Sequence, residues 1–167
     1  MTSPVSLKLQ VGDLLKRVGA QRDVALSVAM EMGAGVVKVS DATATALDLS
    51  VERIPEGLVV RGEITTRWEG PCARCLQETS GELFVGVDEL FEADPIAGET
   101  YPLDGEICDL EPLVRDAVLL DLPQRPLCRA DCAGLCPSCG ADRNIEMCEC
   151  TLDESDPRWA ALGSLKL

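Results

Sequence analysis

An α+β fold is what this 167-residue chain predicts: an antiparallel β-sheet with flanking helices, followed by a C-terminal cysteine-rich segment. Three observations carry that prediction. Apolar residues recur at every second position over most of the stretch from Ala46 to Leu90, the period at which side chains share one face of a sheet. From Leu110 to Leu122 the spacing changes to that of a helix. Beyond it, six of the nine cysteines fall between Cys128 and Cys150. The predicted division is a body over residues 1–122 and a second segment over 123–167 packed on it.

Taken in order, Val5 to Leu9 alternates apolar and polar residues as a short strand does. Val11, Leu14, Leu15 and Val18 recur at helical spacing, so a short helix is expected between Gly12-Asp13 and Gly19-Ala20. Leu47, Leu49 and Val51 line one strand face; Leu58, Val60, Ile64 and Trp68 line the next. Pro55-Glu56-Gly57 between them predicts a hairpin turn. The second run ends at Gly70-Pro71 and leads directly into Cys72-Ala73-Arg74-Cys75, and Leu83, Val85 and Val87 mark a third strand. The first C-x-x-C therefore sits at a strand–turn–strand tip. The Pro-, Gly- and acid-rich stretch from Asp94 to Asp109 reads as a long loop. Asp109 is the expected N-cap of a helix carrying Leu110, Leu113, Val114, Ala117 and Val118 on one face. Pro112 falls in its first turn, where a missing N–H costs nothing, and Pro123 ends it. Asp156-Pro157 opens a last short helix with Trp159, Leu162 and Leu165 available for docking.

Five aromatic residues in the whole chain require an aliphatic core. No apolar run approaches the roughly 18–20 residues that cross a bilayer, which argues against a membrane role. The N-terminal residues show no basic stretch followed by an apolar one. The expectation is a soluble, cytoplasmic protein, in which thiols stay reduced and clustered cysteines favour a metal over disulfides.

Cys136-Pro137-Ser138-Cys139-Gly140 is the strongest local motif. Such a turn points two sulfurs the same way, and Gly140 can take the positive φ that the turn needs. With Cys148 and Cys150 this pair makes a closed tetrahedral Zn²⁺ site of four thiolates. Cys72, Cys75, Cys128 and Cys132 supply a second set, leaving Cys108 as an ordinary core or loop thiol. The partition stays open at this level, since Cys128 or Cys132 can exchange into the first set, and four thiolates also hold iron–sulfur clusters. Structural zinc contributes about 10–16 kcal/mol of apparent binding free energy to small motifs. The segment from Cys128 to Cys150 has almost no other material with which to fold. With no histidine in the chain and no phosphate-binding glycine motif, the inventory is that of a non-enzyme.

The net charge is −14, and the stretch from Leu76 to Val114 holds eleven acids with no lysine or arginine. Such a surface repels a phosphate backbone, so direct nucleic-acid binding is disfavoured. Arg61, Arg67 and Arg74 are the residues with which an RNA-binding module would have to work. The acidic stretch, with Asp88, Glu89 and Glu92 as its candidate contacts, suits a basic protein partner.

Gly70-Pro71-Cys72-Ala73-Arg74-Cys75-Leu76, the acidic middle, and the string from Cys128 through Asp131-Cys132-Ala133-Gly134-Leu135-Cys136-Pro137-Ser138-Cys139-Gly140 to Asn144 together resemble the YceD family. Cys148-Glu149-Cys150 and the closing stretch from Asp156 to Leu165 extend the likeness over nearly the whole chain. That resemblance implies a bacterial, cytosolic factor needed for large-subunit ribosomal RNA to accumulate. Joined to the charge, it implies a ribosomal protein or ribosome-assembly factor as partner. The alternatives are a zinc- or redox-sensing interaction protein, in which Cys72 and Cys75 oxidise with loss of zinc, and a direct RNA-binding module.

Overall fold

The computed structural model describes residues 7–150 and Arg158. The expected terminal helix from Asp156, with Trp159, Leu162 and Leu165, lies outside the described residues, as do Val5 and Ser6. Nine strands are present: β1 (Lys8–Gln10), β2 (Gln21–Ala29), β3 (Met32–Ala34), β4 (Val37–Val39), β5 (Ala44–Arg53), β6 (Leu58–Pro71), β7 (Glu78–Glu92), β8 (Tyr101–Asp104) and β9 (Ile107–Asp109). One α-helix, α1 (Glu111–Asp121), follows them. They form a single sheet that runs β1-β9-β8-β7-β6. Beyond β6, the chain lies alongside first as β5 and then as β4, which are flanked in turn by β2 and β3. All pairings are antiparallel except β7 with β8. The sheet curls until its outer strands approach, and the Arg22 guanidinium on β2 donates to the Gln10 carbonyl on β1 at 2.8 Å.

The period-two patterning places the core. Leu47, Leu49 and Val51 on β5, Val60 and Ile64 on β6, and Val85 and Val87 on β7 point into one aliphatic interior. The expected hairpin at Pro55-Glu56-Gly57 is present, closed by reciprocal backbone bonds between Ile54 and Gly57 at 3.0 and 3.2 Å. The long β6–β7 hairpin runs in register from Leu58↔Phe91 to Pro71↔Glu78, which puts Cys72–Cys75 at its tip. Midway along β6, Gly62 has φ +147°, and a Cβ there would lie 2.1 Å from the Asp48 carbonyl oxygen on β5. Only glycine lets the two strands approach this closely.

Three expectations are corrected. The helical stripe at Val11–Val18 yields only a 3-10 turn, Leu14–Lys16. Val11 and Leu14 are buried but Val18 is 58% exposed, so a second turn would bury nothing. Gly19 instead bonds to the Arg53 carbonyl and turns the chain into β2. With one α-helix among the described residues, the fold is mostly β, and the flanking helices of the α+β expectation reduce to α1. The stretch from Asp94 to Asp109 is no continuous loop, because β8 and β9 form a tight hairpin around Gly105 at φ +60°. Tyr101 stacks on Phe91 with ring centroids 5.1 Å apart, and Cys108 is fully buried. The stretch from Gln21 to Val39, for which the sequence suggested no element, forms β2, β3 and β4.

The helix α1 lies where its pattern places it, with Leu110, Leu113, Val114 and Val118 buried against the sheet. The N-cap is Leu110 and not the expected Asp109, although the Asp109 carboxylate still accepts the Glu111 N–H at 3.0 Å.

Gly62→Ala should destabilise the protein by about 2–3 kcal/mol, read as a lower urea midpoint, because strain at a glycine-only φ adds to the steric clash. Burial and the neighbouring Asp109 push the Cys108 thiol up to about 12 from its ordinary value of 9.0. The folded state therefore holds that proton more tightly than the unfolded chain, so stability falls as pH rises from about 9 towards 12. Cys108→Ala should lose less stability over that range than the wild type in parallel urea titrations.

Candidate metal centres

The two C-x-x-C turns have the same backbone. In the first, the Leu76 N–H bonds to the Cys72 carbonyl at 2.9 Å and the Cys72 N–H to the Gln77 carbonyl at 2.8 Å. In the second, Gly140 bonds to Cys136 at 2.9 Å and Cys136 to Ala141 at 2.8 Å. The residue after the second cysteine is left-handed in both, Leu76 at φ 62° and Gly140 at φ +75°. Gly140 takes the conformation anticipated for it, while Leu76 takes it against the steric preference of an L-residue. Leu76 is the one non-glycine residue at positive φ among the described residues.

Each turn meets a second pair of cysteines. Cys72, Cys75, Cys128 and Cys132 converge in one group, and Cys136, Cys139, Cys148 and Cys150 in another, with all four sulfurs of each within 4.8 Å of one another. In the first group the Cys72–Cys132 sulfurs are 3.8 Å apart and the Cys75–Cys128 sulfurs 3.7 Å. Four sulfurs at about 2.3 Å from one tetrahedral ion stand about 3.8 Å apart, so the residues fit a single shared ion. A multi-iron cluster, with sulfide between its metals, needs thiolates spread more widely. Either group can hold one metal ion. The first is the more buried, with Cys72, Cys75 and Cys132 at 0, 5 and 2% exposure and Cys128 exposed; in the second, Cys136 is buried and Cys139 exposed.

Electrostatics within each group is divided. Backbone N–H groups of Cys128 and Cys75 hold the Cys72 thiol down at about 6, and those of Cys139 and Ser138 do the same for Cys136. Desolvation and the sulfurs of Cys132, Cys75 and Cys72 push Cys128 up to about 12. The sulfurs of Cys139 and Cys136 push Cys150 up to about 12, and that of Cys136 raises Cys148. Four thiolates this close repel one another unless a cation shares them.

The surrounding hydrogen bonds come from residues that the cysteine spacing does not reveal. Arg74, inside the first turn, donates to the carbonyls of Cys132 at 2.9 Å and Ala130 at 3.3 Å. Its own carbonyl accepts Leu135 N–H at 3.0 Å, and Ala73 N–H bonds to the Pro126 carbonyl at 2.7 Å. The segment after α1 is thus laced to the hairpin tip. An arginine between two ligands and an Asp-x-Asn in a ligand loop were the available signals.

Asp88, Glu89 and Glu92 do not converge. Asp88 pairs with Arg61 at 3.0 Å, and Glu92 accepts the Thr100 hydroxyl at 2.8 Å. Glu89, on the opposite face of β7 from those two, lines a groove of 410 Å³ with Glu99, Tyr101, Asp116 and Leu120. Of the basic residues, Arg61 is also paired with Glu52 at 3.4 Å, Arg67 donates to Ser80, and Arg74 is bound into the first centre.

Gly140→Ala should cost about 1–2 kcal/mol of stability from the left-handed backbone alone, whereas Leu76→Gly should be neutral or stabilising, measured by chemical denaturation. Metal uptake must displace protons from the raised thiols of at least two ligands in each group. Apparent affinity should therefore rise at least about 100-fold per pH unit near neutrality, in chelator competition, with matching proton release.

A family model described as "Large ribosomal RNA subunit accumulation protein YceD" matches residues 60–166. Uncharacterized proteins of Mycobacterium tuberculosis and Mycobacterium leprae are 38% and 37% identical to this chain over 138 and 127 residues. Those alignments cover 78% and 71% of this chain, and 66% and 58% of the mycobacterial proteins. A chloroplastic protein of Arabidopsis thaliana, named large ribosomal RNA subunit accumulation protein YCED homolog 1, is 25% identical over 192 residues, 91% of this chain and 60% of its own. The chain thus spans about two thirds of the length of the curated relatives it matches, or less. No solved structure matches it. The family model takes in nearly all of the β6–β7 hairpin, α1 and all eight cysteines of the two groups, and the chain belongs to the YceD family of large ribosomal RNA subunit accumulation proteins.

Proposed function

We propose that this chain is a non-enzymatic factor of the bacterial cytoplasm that supports large-subunit ribosomal RNA accumulation by binding a basic ribosomal protein or assembly factor, with two Zn²⁺ ions as structural staples. The observation that carries the reading is the pair of complete four-thiolate sets in a chain matched by the YceD family model. Four thiolates fill a tetrahedral ion and leave no position for water or substrate, which supports structural metal over catalytic metal. Zinc suits the all-sulfur tetrahedron and adds no redox chemistry. No helix among the described residues is long and apolar enough to cross a membrane.

Charge supports a protein partner over RNA. Of the three arginines that an RNA-binding module would use, Arg61 is neutralised by Glu52 and Asp88, and Arg74 serves the first metal centre. The groove that holds Glu89, Glu99 and Asp116 also presents Leu120, 86% exposed, a mixture suited to a basic segment with an apolar side. The sensing alternative loses support where it was framed, because Cys72 and Cys75 are buried.

In cells depleted of the protein, the ratio of large- to small-subunit ribosomal RNA should fall. Wild type should restore it and Cys136→Ser/Cys139→Ser should not; a ratio that never moves refutes the ribosomal role. Binding of basic large-subunit proteins should weaken about tenfold or more as salt screens the surface. Glu89→Gln/Glu99→Gln should reduce it more than Asp88→Asn/Glu92→Gln, whose carboxylates are already engaged within the fold. Salt-insensitive binding would exclude the acidic surface as the contact.

A further inference from the structure

Asn144 stands in the loop between Cys139 and Cys148, so both ends of its loop are ligands of the second cysteine group. Its side chain nevertheless acts on the first. The amide Nδ2 donates to the Cys132 Sγ at 3.4 Å and to Asp142 Oδ1 at 2.6 Å. Its Oδ1 accepts the Ala133 N–H and an Arg129 Nη2, both at 2.8 Å. The orientation of the amide is set by its partners: Asp142 only accepts, while Arg129 and the Ala133 N–H only donate. All four hydrogen-bonding positions of the carboxamide are therefore filled. Three of its partners, Arg129, Cys132 and Ala133, belong to the turn that carries Cys128 and Cys132.

Asp142 completes a second connection. Its Oδ1 also accepts the Asn144 N–H at 2.9 Å, and its Oδ2 accepts Gln77 Nε2 at 3.1 Å. The Gln77 carbonyl in turn accepts the Cys72 N–H in the first turn. Ligands of the first group are thus held from both sides by residues whose loop is shaped by the second.

We infer that the two centres load cooperatively and that Asn144 is the positioning residue that transmits occupancy of one to the other. An ion on Cys136, Cys139, Cys148 and Cys150 closes the loop and sets the carboxamide in place. The placed amide orients Cys132 and stabilises its thiolate by an N–H···S bond, so the first centre binds its ion more tightly. Coupling of this kind is reciprocal, and an ion in the first centre favours the second by the same factor. The inference rests on the reading of both quartets as metal sites.

The test is titration of the metal-free full chain with Co²⁺ against a chromophoric chelator under anaerobic conditions. The wild type should take up two equivalents; fewer than two would overturn the metal reading itself, and the coupling with it. Asn144→Ala should still take up two, with affinity at the first centre lowered about 10–100-fold, the range for lost hydrogen bonds to ligands. Cys148→Ser/Cys150→Ser should lower the first centre by a similar factor, and Asn144→Ala added to that pair should lower it no further. Cys72→Ser/Cys75→Ser should weaken the second centre equally. Loss of the N–H···S bond should also shift the first centre's thiolate-to-cobalt charge-transfer band, which a merely structural role would leave in place. Asn144→Asp retains the size of the side chain but sets a carboxylate against the Cys132 thiolate, and should weaken the first centre at least as much as alanine. Unchanged affinity in Asn144→Ala and Asn144→Asp, or additive losses in the combined variant, would overturn the coupling.

Discussion

The part of the structure most dependent on one constraint is the region after α1, and that constraint is the meeting of four sulfurs from distant parts of the chain. Cys72 and Cys75 arrive on the tip of the β6–β7 hairpin, and Cys128 and Cys132 arrive after the helix. Cys72, Cys75 and Cys132 form a small buried cluster separate from the aliphatic interior, and among the described residues Leu127 and Leu135 pack against it. The apolar surface that these described residues bury is small beside the entropy of ordering the segment. Convergent sulfurs and the hydrogen bonds from Arg74, Asp142 and Asn144 hold the segment there. The body needs no such device, because β5, β6 and β7 bury an aliphatic face of their own.

The surface carries charge in two manners. Along the sheet, arginine and lysine are met by acids on neighbouring strands, as in Lys38–Glu69 and Arg61–Asp88, and these exposed pairs contribute little to stability. Acids outnumber bases by 29 to 15, so a surplus remains, and part of it lines the groove beside α1. Arg61 is met by acids on both sides, while Glu89, Glu99 and Asp116 gather part of the acidic surplus in one groove.

Much of this was legible in the residues, and the reasons for success and failure are physical. Strands β5, β6 and β7 alternate cleanly because one of their faces is wet and the other is not, and the α1 stripe is equally clear. The 3-10 turn was misread because four apolar residues at helical spacing say nothing about whether a second turn has anything to cover. Strands β8 and β9 were hidden in a stretch rich in Pro, Gly and acids, where Asp104-Gly105 was the only short-range hairpin signal. The cysteine spacing picked out the eight sulfurs that the fold gathers into two groups of four, but not how they divide between the groups. Asp142, Asn144 and Gln77 were not, because a hydrogen-bonding side chain can be supplied from many places and leaves no periodic trace.

The pairing of β1 with β9 carries a consequence of a different kind. Lys8 lies opposite Asp109, so β1 meets its strand partner about a hundred residues further along the chain. The hairpin thiols likewise wait for Cys128 and Cys132. Contacts of such sequence separation carry a large closure entropy and form late. The hairpins between them can therefore form first, with β1 and the sulfurs of the β6–β7 tip both unsealed until one late act of closure.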